Sequence, residues 1–315
     1  MSGFDFRRFR FWELVLTLIA VAAPFVLPAI VPKSSHLLRP AMAESLEQPD
    51  TSRVVSVGGA VTEIIYALGE ERRLVGRDST STYPEAALRL PDVGYMRRLA
   101  PEGIIAVNPT AIVAVEGSGP PEALALLKEA NIPFTTIAET YDRQGILAKI
   151  RAVGAFLGVE DKAEALARSV EKELDATLAG ADLRPEGDRK RVLFVLSTEG
   201  GKIMASGTGT AASSILGLAG AANAAGGFTG YKAMTDEAIV EAMPDVILMM
   251  DRGGSHGTSA DALFALPALS LTPAAKAKAL IRMDGLHLLG FGPRTASAIR
   301  ELNAAIYGKK ANDSE

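Results

Sequence analysis

The sequence predicts an α/β protein of two lobes, each a mainly parallel sheet flanked by helices, joined by one long connecting helix. Three observations carry this expectation. Short β-branched runs alternate with amphipathic helical stretches along the chain, the pattern that a parallel sheet with crossover helices requires. One layout occurs twice: "PEGIIAVNPTAIVAVEGSG" (101–119) and "DEAIVEAMPDVILMMDRGG" (236–254) each run from an acidic helix start through Asn-Pro or Met-Pro to an apolar strand and a glycine-containing loop. Between the two copies lies "GVEDKAEALARSVEKELDATLAGADLRPEGDRKR", dense in Ala, Glu, Lys and Leu, with apolar residues at helical spacing from Ala163 to Leu178.

The elements follow in chain order. Arg7, Arg8 and Arg10 precede an apolar run from Trp12 to Val31 that Glu13, Pro24 and Pro28 interrupt, and "AMAES" offers a small-x-small cleavage site after Ala43. Residues 1–43 therefore read as a secretory signal peptide. An uncleaved anchor is the other reading, since the run approaches the roughly 20 residues of a spanning helix. The arginine pair leaves the export route, general secretory or twin-arginine, open. The absence of cysteine from the 315 residues suits an oxidising compartment without disulfides and excludes a lipidated N-terminal cysteine. The periplasm is the expected address.

The N-terminal lobe is assigned to 44–158. It opens with "SRVVSVGGAVTEIIYALG", a strand from Arg53 to Val57, a turn at Gly58 and Gly59, and an amphipathic helix ending at Gly69. "RRLVGRD" and "PFTTIAE" add short strands, with the helix "PEALALLKEAN" between sheet segments. The connecting helix is assigned to 159–185, with Asp161 near its start and Gly180 near its end; at 1.5 Å per residue it spans about 30 Å, the width of a small domain. A strut of that length suits a rigid join better than a hinge. "RVLFVLS" from Arg191 then begins the C-terminal lobe, assigned to 186–315.

Two facing α/β lobes create a cleft, and α/β sheets bind ligands on loops leaving the carboxyl ends of their strands. The expected cleft loops are 58–62, 77–97, 116–121, 206–210, 226–235 and 251–257. A formal net charge of −4, without a long basic run, excludes a nucleic-acid surface. Enzyme chemistry is poorly served: there is no Gly-x-Ser-x-Gly elbow, no His-Glu-x-x-His and no phosphate loop ending in Lys-Ser/Thr. Of three histidines, His36 lies in the signal segment, leaving His256 and His287. "ASGTGT" holds a single Gly-x-Gly and reads as a tight turn lining the cleft. Asp284 and His287 sit at helical spacing beside Leu286, Leu288 and Leu289 and read as structure. A non-enzyme is expected, with a secreted α/β enzyme built on Asp251, Asp284 and His287 as the remote alternative.

"PDVGYMRRLAPEGI" (91–104) sets Tyr95 beside Arg97 and Arg98. A half-buried ring with its hydroxyl in water is the ordinary reading. Arg97, and Arg252 at the equivalent strand end of the other lobe, favour a second one. A phenol near pKa 10 ionises more readily beside guanidinium groups, and tyrosinate is a ligand for haem iron.

"STYPEAALRLPDVGYMRRLAPEGI", "EGGKIMASGTGT", "GGFTGYKAMTDEAIVEAMPDVILMMDRGG" and "GFGPRTASAI" resemble the periplasmic haem-binding proteins of bacterial haem ABC importers, over essentially all of Ser52 to Gly308. The resemblance implies a two-lobed fold with a rigid interdomain helix, haem b as transported ligand, and an inner-membrane permease with its ATPase as partners of a monomer. It implies that Tyr95 is the haem iron ligand and that Arg97 and Arg252 stabilise its phenolate. Some members add a histidine in the loop after the first strand of the second lobe; here "STEGGKIMASG" has none, so one haem with Tyr95 as its strong ligand is expected, His256 remaining a second candidate. Met96, Met204, Phe228, Tyr231 and Met234 are candidates to cover the porphyrin, and Lys202, Ser206, Thr208 and Lys232 to meet its propionates. Glu122 and Glu237 match the acidic residues that dock on the permease. The alternative cargo on the same fold is a corrinoid or a ferric siderophore.

Overall fold

In the computed structural model, which describes residues 49–180, 185–251 and 259–308, β1 (Val54–Val57) is buried along its whole length, as a strand flanked by parallel neighbours and covered on both faces must be. Gly58 then turns the chain with φ 105°, and a Cβ there would stand 2.6 Å from Val115. Helix α1 (Gly59–Ala67) follows, then β2 (Leu74–Arg77), the two-residue strands β3 (Gly94–Tyr95) and β4 (Arg98–Leu99), α2 (Pro101–Ala106), β5 (Ala111–Val115), α3 (Pro121–Glu129) and β6 (Phe134–Ile137). The first sheet is wholly parallel, in the order β2-β1-β5-β6.

Helix α4 (Arg143–Leu157) starts where the Asp142 carboxylate accepts from the Gly145 amide at 2.7 Å and stops at Gly158, whose left-handed backbone ends it. Helix α5 (Glu160–Gly180) is 21 residues long. It buries Ala163, Ala167, Val170 and Leu174 and packs against α4 and a helix near the chain's end.

In the second lobe β7 (Arg191–Ser197), β8 (Ile203–Ser206), α6 (Ala211–Leu218), β9 (Ala222–Asn223), β10 (Tyr231–Met234), α7 (Asp236–Ala242) and β11 (Val246–Asp251) are followed by the short helices α8 (Ala260–Phe264), α9 (Pro267–Ser270) and α10 (Pro273–Ala277), then β12 (Leu280–Asp284), α11 (Gly285–Leu289) and α12 (Thr295–Tyr307). The sheet order is β10-β8-β7-β11-β12, with β9 beside β7. This sheet departs from the all-parallel pattern of the first. Gly200 and Gly201, at φ 64° and 76°, reverse the chain so that β8 runs antiparallel to β7, and β10 returns antiparallel to β8.

The repeated layout is a repeated structure. In each copy a short helix (α2 or α7) is followed within two residues by one at positive φ, Asn108 at 49° or Met243 at 45°, then proline and a central strand (β5 or β11). Proline disfavours the right-handed helical region for the residue before it, so the helix must stop there. One buried cluster runs through both lobes, from Val54, Ile64 and Ile150 through Leu174 to Phe194, Ile215, Phe291 and Ile299. The start of α5 is tied to the first lobe by Lys162–Glu70 at 2.6 Å. Its last turns are tied to α12 by the Arg300 guanidinium, which donates to the Thr177 hydroxyl at 2.6 Å.

Candidate functional site

Tyr95 and Arg98 face each other across the β3–β4 hairpin, with Met96 and Arg97 as its turn. The hairpin is braced on all sides. Gly94, at φ 102°, takes its amide to the Asp92 carboxylate at 2.9 Å, and its carbonyl accepts from Ser79 at 2.9 Å. The Gly119 amide donates to Met96 at 2.9 Å, and Leu99 donates to Gly119 at 2.8 Å. The Met96 side chain packs on the buried clusters of the first lobe. From this fixed base the Tyr95 ring stands 48% exposed, and among the described residues its hydroxyl has no hydrogen-bond partner.

Tyr231 reaches the same place from the second lobe, opposite Ser206 on the edge strand β10. Burial pushes its phenol above the ordinary value; hydrogen bonding to Ser206 and Thr210 and the charge of Arg97 pull the other way, and Tyr95 adds to the rise. Tyr141, just past β6, is also pushed up, first by burial and then by the Glu139 carboxylate, against the opposing pull of Arg97. Arg97 therefore faces phenols from both lobes. The structure brings together Tyr95, Arg97 and Tyr231, and adds Tyr141, which the motifs did not single out; its one cue was its place at a strand's carboxyl end in "IAETYD".

The remaining candidates are held as follows. Side chains alternate along a strand, and Met234 and Phe228 pack on the outer cluster of the second lobe, with the Lys232 ammonium 5.6 Å over the Phe228 ring. Ser206 is fully buried, 2.5 Å from the Thr210 hydroxyl, which also caps α6 by accepting from Ser213 at 3.1 Å. Thr208 is exposed and donates to the Phe228 carbonyl at 3.1 Å. Between them Gly207 is obligatory, because a Cβ would overlap the Phe228 carbonyl and ring. Met204 is half-buried opposite Ala233, and Lys202 is exposed. Glu122 and Glu237 stand exposed in the first turns of α3 and α7; hydrogen bonds, chiefly from backbone, hold the Glu237 carboxyl below its ordinary value.

Asp284 caps α11, accepting from the His287 amide at 2.7 Å. His287 lies between Glu301, 3.2 Å from Nε2, and Arg294, 3.3 Å from Nδ1. Both are engaged in structure. Arg252, His256 and the signal segment 1–43 lie outside the described residues. Among the described residues no group of three or more His, Cys, Asp or Glu side chains forms a metal cluster, and no helix is long and apolar enough to cross a membrane.

This arrangement, two α/β lobes that bring tyrosines from both sides to Arg97, is that of a substrate-binding protein of an importer. Residues 54–285 match the periplasmic binding protein family, and the chain belongs to it. It is 30% identical over 260 residues to an uncharacterised ABC transporter substrate-binding lipoprotein, YvrC, of Bacillus subtilis, covering 82% of this chain and 81% of that one. Among solved structures it is similar to the periplasmic haem-binding protein BhuT in complex with two haems, at 40% identity and TM-score 0.76 over 81% of this chain and 97% of that one. RhuT, a periplasmic haem-binding protein of Roseiflexus sp. RS-1 in apo form, matches at 38% and 0.77, over 82% and 98%. A shorter stretch of 112 residues, 35% of this chain and 38% of its relative, is 35% identical to a vitamin B12-binding protein of Yersinia pseudotuberculosis.

Proposed function

We propose that this protein captures haem b in the periplasm, holds it in the cleft between its lobes, and delivers it to an inner-membrane ABC permease and its ATPase. The observation that carries the reading is Tyr95: a half-exposed phenol without a hydrogen-bond partner among the described residues, on a hairpin fixed by three backbone bonds and one to the Asp92 carboxylate, with Arg97 beside it. A phenolate is a hard anionic ligand suited to ferric iron, and the Tyr95 hydroxyl stands half exposed with no hydrogen-bond partner among the described residues. Arg97, and Arg252 from the second lobe, offset the charge of the bound phenolate. Tyr231 and Tyr141 line the same space as neutral phenols. The likeness to BhuT and RhuT over nearly their whole length supports haem as cargo.

The chain is a carrier and not an enzyme, a monomer exported by the signal peptide 1–43. Glu122 and Glu237 dock it on the permease. Each stands in a first helical turn, where the dipole favours a carboxylate and water reaches it. One haem per chain is the stoichiometry proposed, since the loop "STEGGKIMASG" after the first strand of the second lobe holds no histidine.

Haemin titrated into protein beginning at Glu44 gives a saturable ferric absorption spectrum with a one-to-one end point. A titration without saturable change overturns the reading. The partial likeness to a vitamin B12-binding protein favours a corrinoid as second reading; displacement of haemin by equimolar cyanocobalamin decides for it.

A further inference from the structure

The segment 285–295 of the second lobe lies against the first lobe along a line of contacts that cargo binding does not explain. Gly59 backs onto Leu286 so closely that a Cβ would overlap the leucine side chain, and Gly292 faces Ala60 and Glu63. The Arg294 amide and guanidinium donate to the two Glu63 carboxylate oxygens at 3.2 and 3.0 Å, and the same guanidinium stacks 3.5 Å over the Tyr83 ring.

Lys149 stands at the centre of this line. Its side chain, on α4, is fully buried, with Nζ 2.5 Å from Glu139 Oε1. Its ammonium donates across the lobes to the carbonyls of Gly290 at 3.3 Å and Phe291 at 3.2 Å. Three donors thus meet three acceptors, the condition on which a buried ammonium is tolerated. Phe291 is itself unusual: buried, with φ 47°, a backbone conformation a bulky residue adopts only where its surroundings hold it. Its ring meets Tyr141 edge-on, centroids 5.3 Å apart and planes at 61°. Glu139 lies two residues before Tyr141, so both of the lysine's arms, the carboxylate and the Phe291 carbonyl, lead to the same cleft phenol. A buried charge is costly to desolvate, and removing one partner of a buried pair leaves the other uncompensated.

We propose that Lys149 is a positioning residue of the cleft: by clasping the Gly290 and Phe291 carbonyls to the first lobe, it presets the spacing of the lobes and seats Tyr141 beside Arg97. Cargo then enters a cleft already at its binding width. Only the cargo part of this statement rests on the haem reading; the clasp itself is tested without ligand.

The test compares the ligand-free parent, Lys149→Met and Glu139→Gln by amide hydrogen exchange and by the ring resonances of Tyr141, which the Phe291 ring current shifts. Lys149→Met raises exchange across 285–295 by about tenfold or more, a tenfold change being one decade in the opening equilibrium, and moves the Tyr141 resonances. Glu139→Gln, which leaves the carbonyl bonds in place, does both to a smaller extent and serves if Lys149→Met does not fold. Exchange within twofold of the parent and unmoved Tyr141 resonances in the folded variant overturn the clasp. Haemin binding is then measured on the same proteins, with about tenfold weaker binding and a changed spectrum expected for Lys149→Met. Faster exchange with unchanged affinity and spectrum overturns the positioning role. Failure of the parent to bind haemin counts against the cargo reading, and exchange and resonances then judge the clasp.

Discussion

The first lobe carries its phenol on a hairpin outside the main sheet, half exposed and without a hydrogen-bond partner among the described residues; the second carries Tyr231 on the edge strand of the main sheet, hydrogen-bonded to Ser206 and Thr210. Both lobes are built around the same helix, positive-φ residue, proline and central strand, so the difference lies in what surrounds that unit. In the first lobe the long loop after β2 folds back as β3–β4 and stands a side chain free of the sheet. In the second, the Gly200–Gly201 reversal adds β8 and β10 to the sheet edge and ties the phenol into it. On the proposed reading, one lobe supplies the group for iron and the other a neutral wall. Under the proposed haem reading Tyr95 is the ligand, and burial, which raises the Tyr231 pKa, argues against ionisation there.

The sharpest way to break the comparison is to remove the free phenol. Tyr95→Phe loses about 100-fold in haemin affinity, about 2.7 kcal/mol, measured by competition against a haem-accepting apoprotein. Gly207→Ala attacks the second lobe's scaffold: the added methyl overlaps the Phe228 carbonyl and ring, costing about 1–3 kcal/mol in denaturant melts. Tyr231→Phe removes a hydroxyl that is already bonded within its own lobe, and haemin affinity changes by only about threefold, under 1 kcal/mol. A larger loss there than for Tyr95→Phe reverses the assignment.

The smallest effect concerns the tie between α5 and the first lobe. The Glu70 carboxyl is held below its ordinary 4.5 by hydrogen bonds first from Lys162 and then from Arg73, against desolvation. A carboxyl with a depressed folded pKa adds stability that is present above its unfolded value and is lost as pH falls through the folded one. Glu70→Gln therefore lowers stability at pH 7 by about 0.5–1 kcal/mol, and the gap to the parent closes below pH 4.5 in acid melts.

The repeated unit was legible in the sequence because proline, which disfavours the helical region for the residue before it, marks the end of each short helix, at Asn108-Pro109 and Met243-Pro244. Tyr95 was legible through its setting between Gly94 and Arg97. The mixed second sheet was not, since β8 is four residues long and its reversal is two glycines among polar residues. Phe228, Lys232 and Met234 read as cleft residues, but strand alternation turns Met234 and Lys232 to the face opposite Tyr231. Lys149 was hidden for a different reason. In "ILAKIRAV" a lysine reads as the solvated face of a helix, and only the partners that chain folding brings to it, Glu139 and two carbonyls 141 and 142 residues away, make its burial possible. Tyr141 gains its role in the same way, from Phe291 and Arg97.

Resonance Raman spectroscopy of the haemin complex, excited in the phenolate-to-iron charge-transfer band, tests the central claim most directly. Phenolate modes present in the parent and in Tyr231→Phe and absent in Tyr95→Phe are the predicted result. Phenolate modes that persist in Tyr95→Phe contradict it and move the iron to another tyrosine.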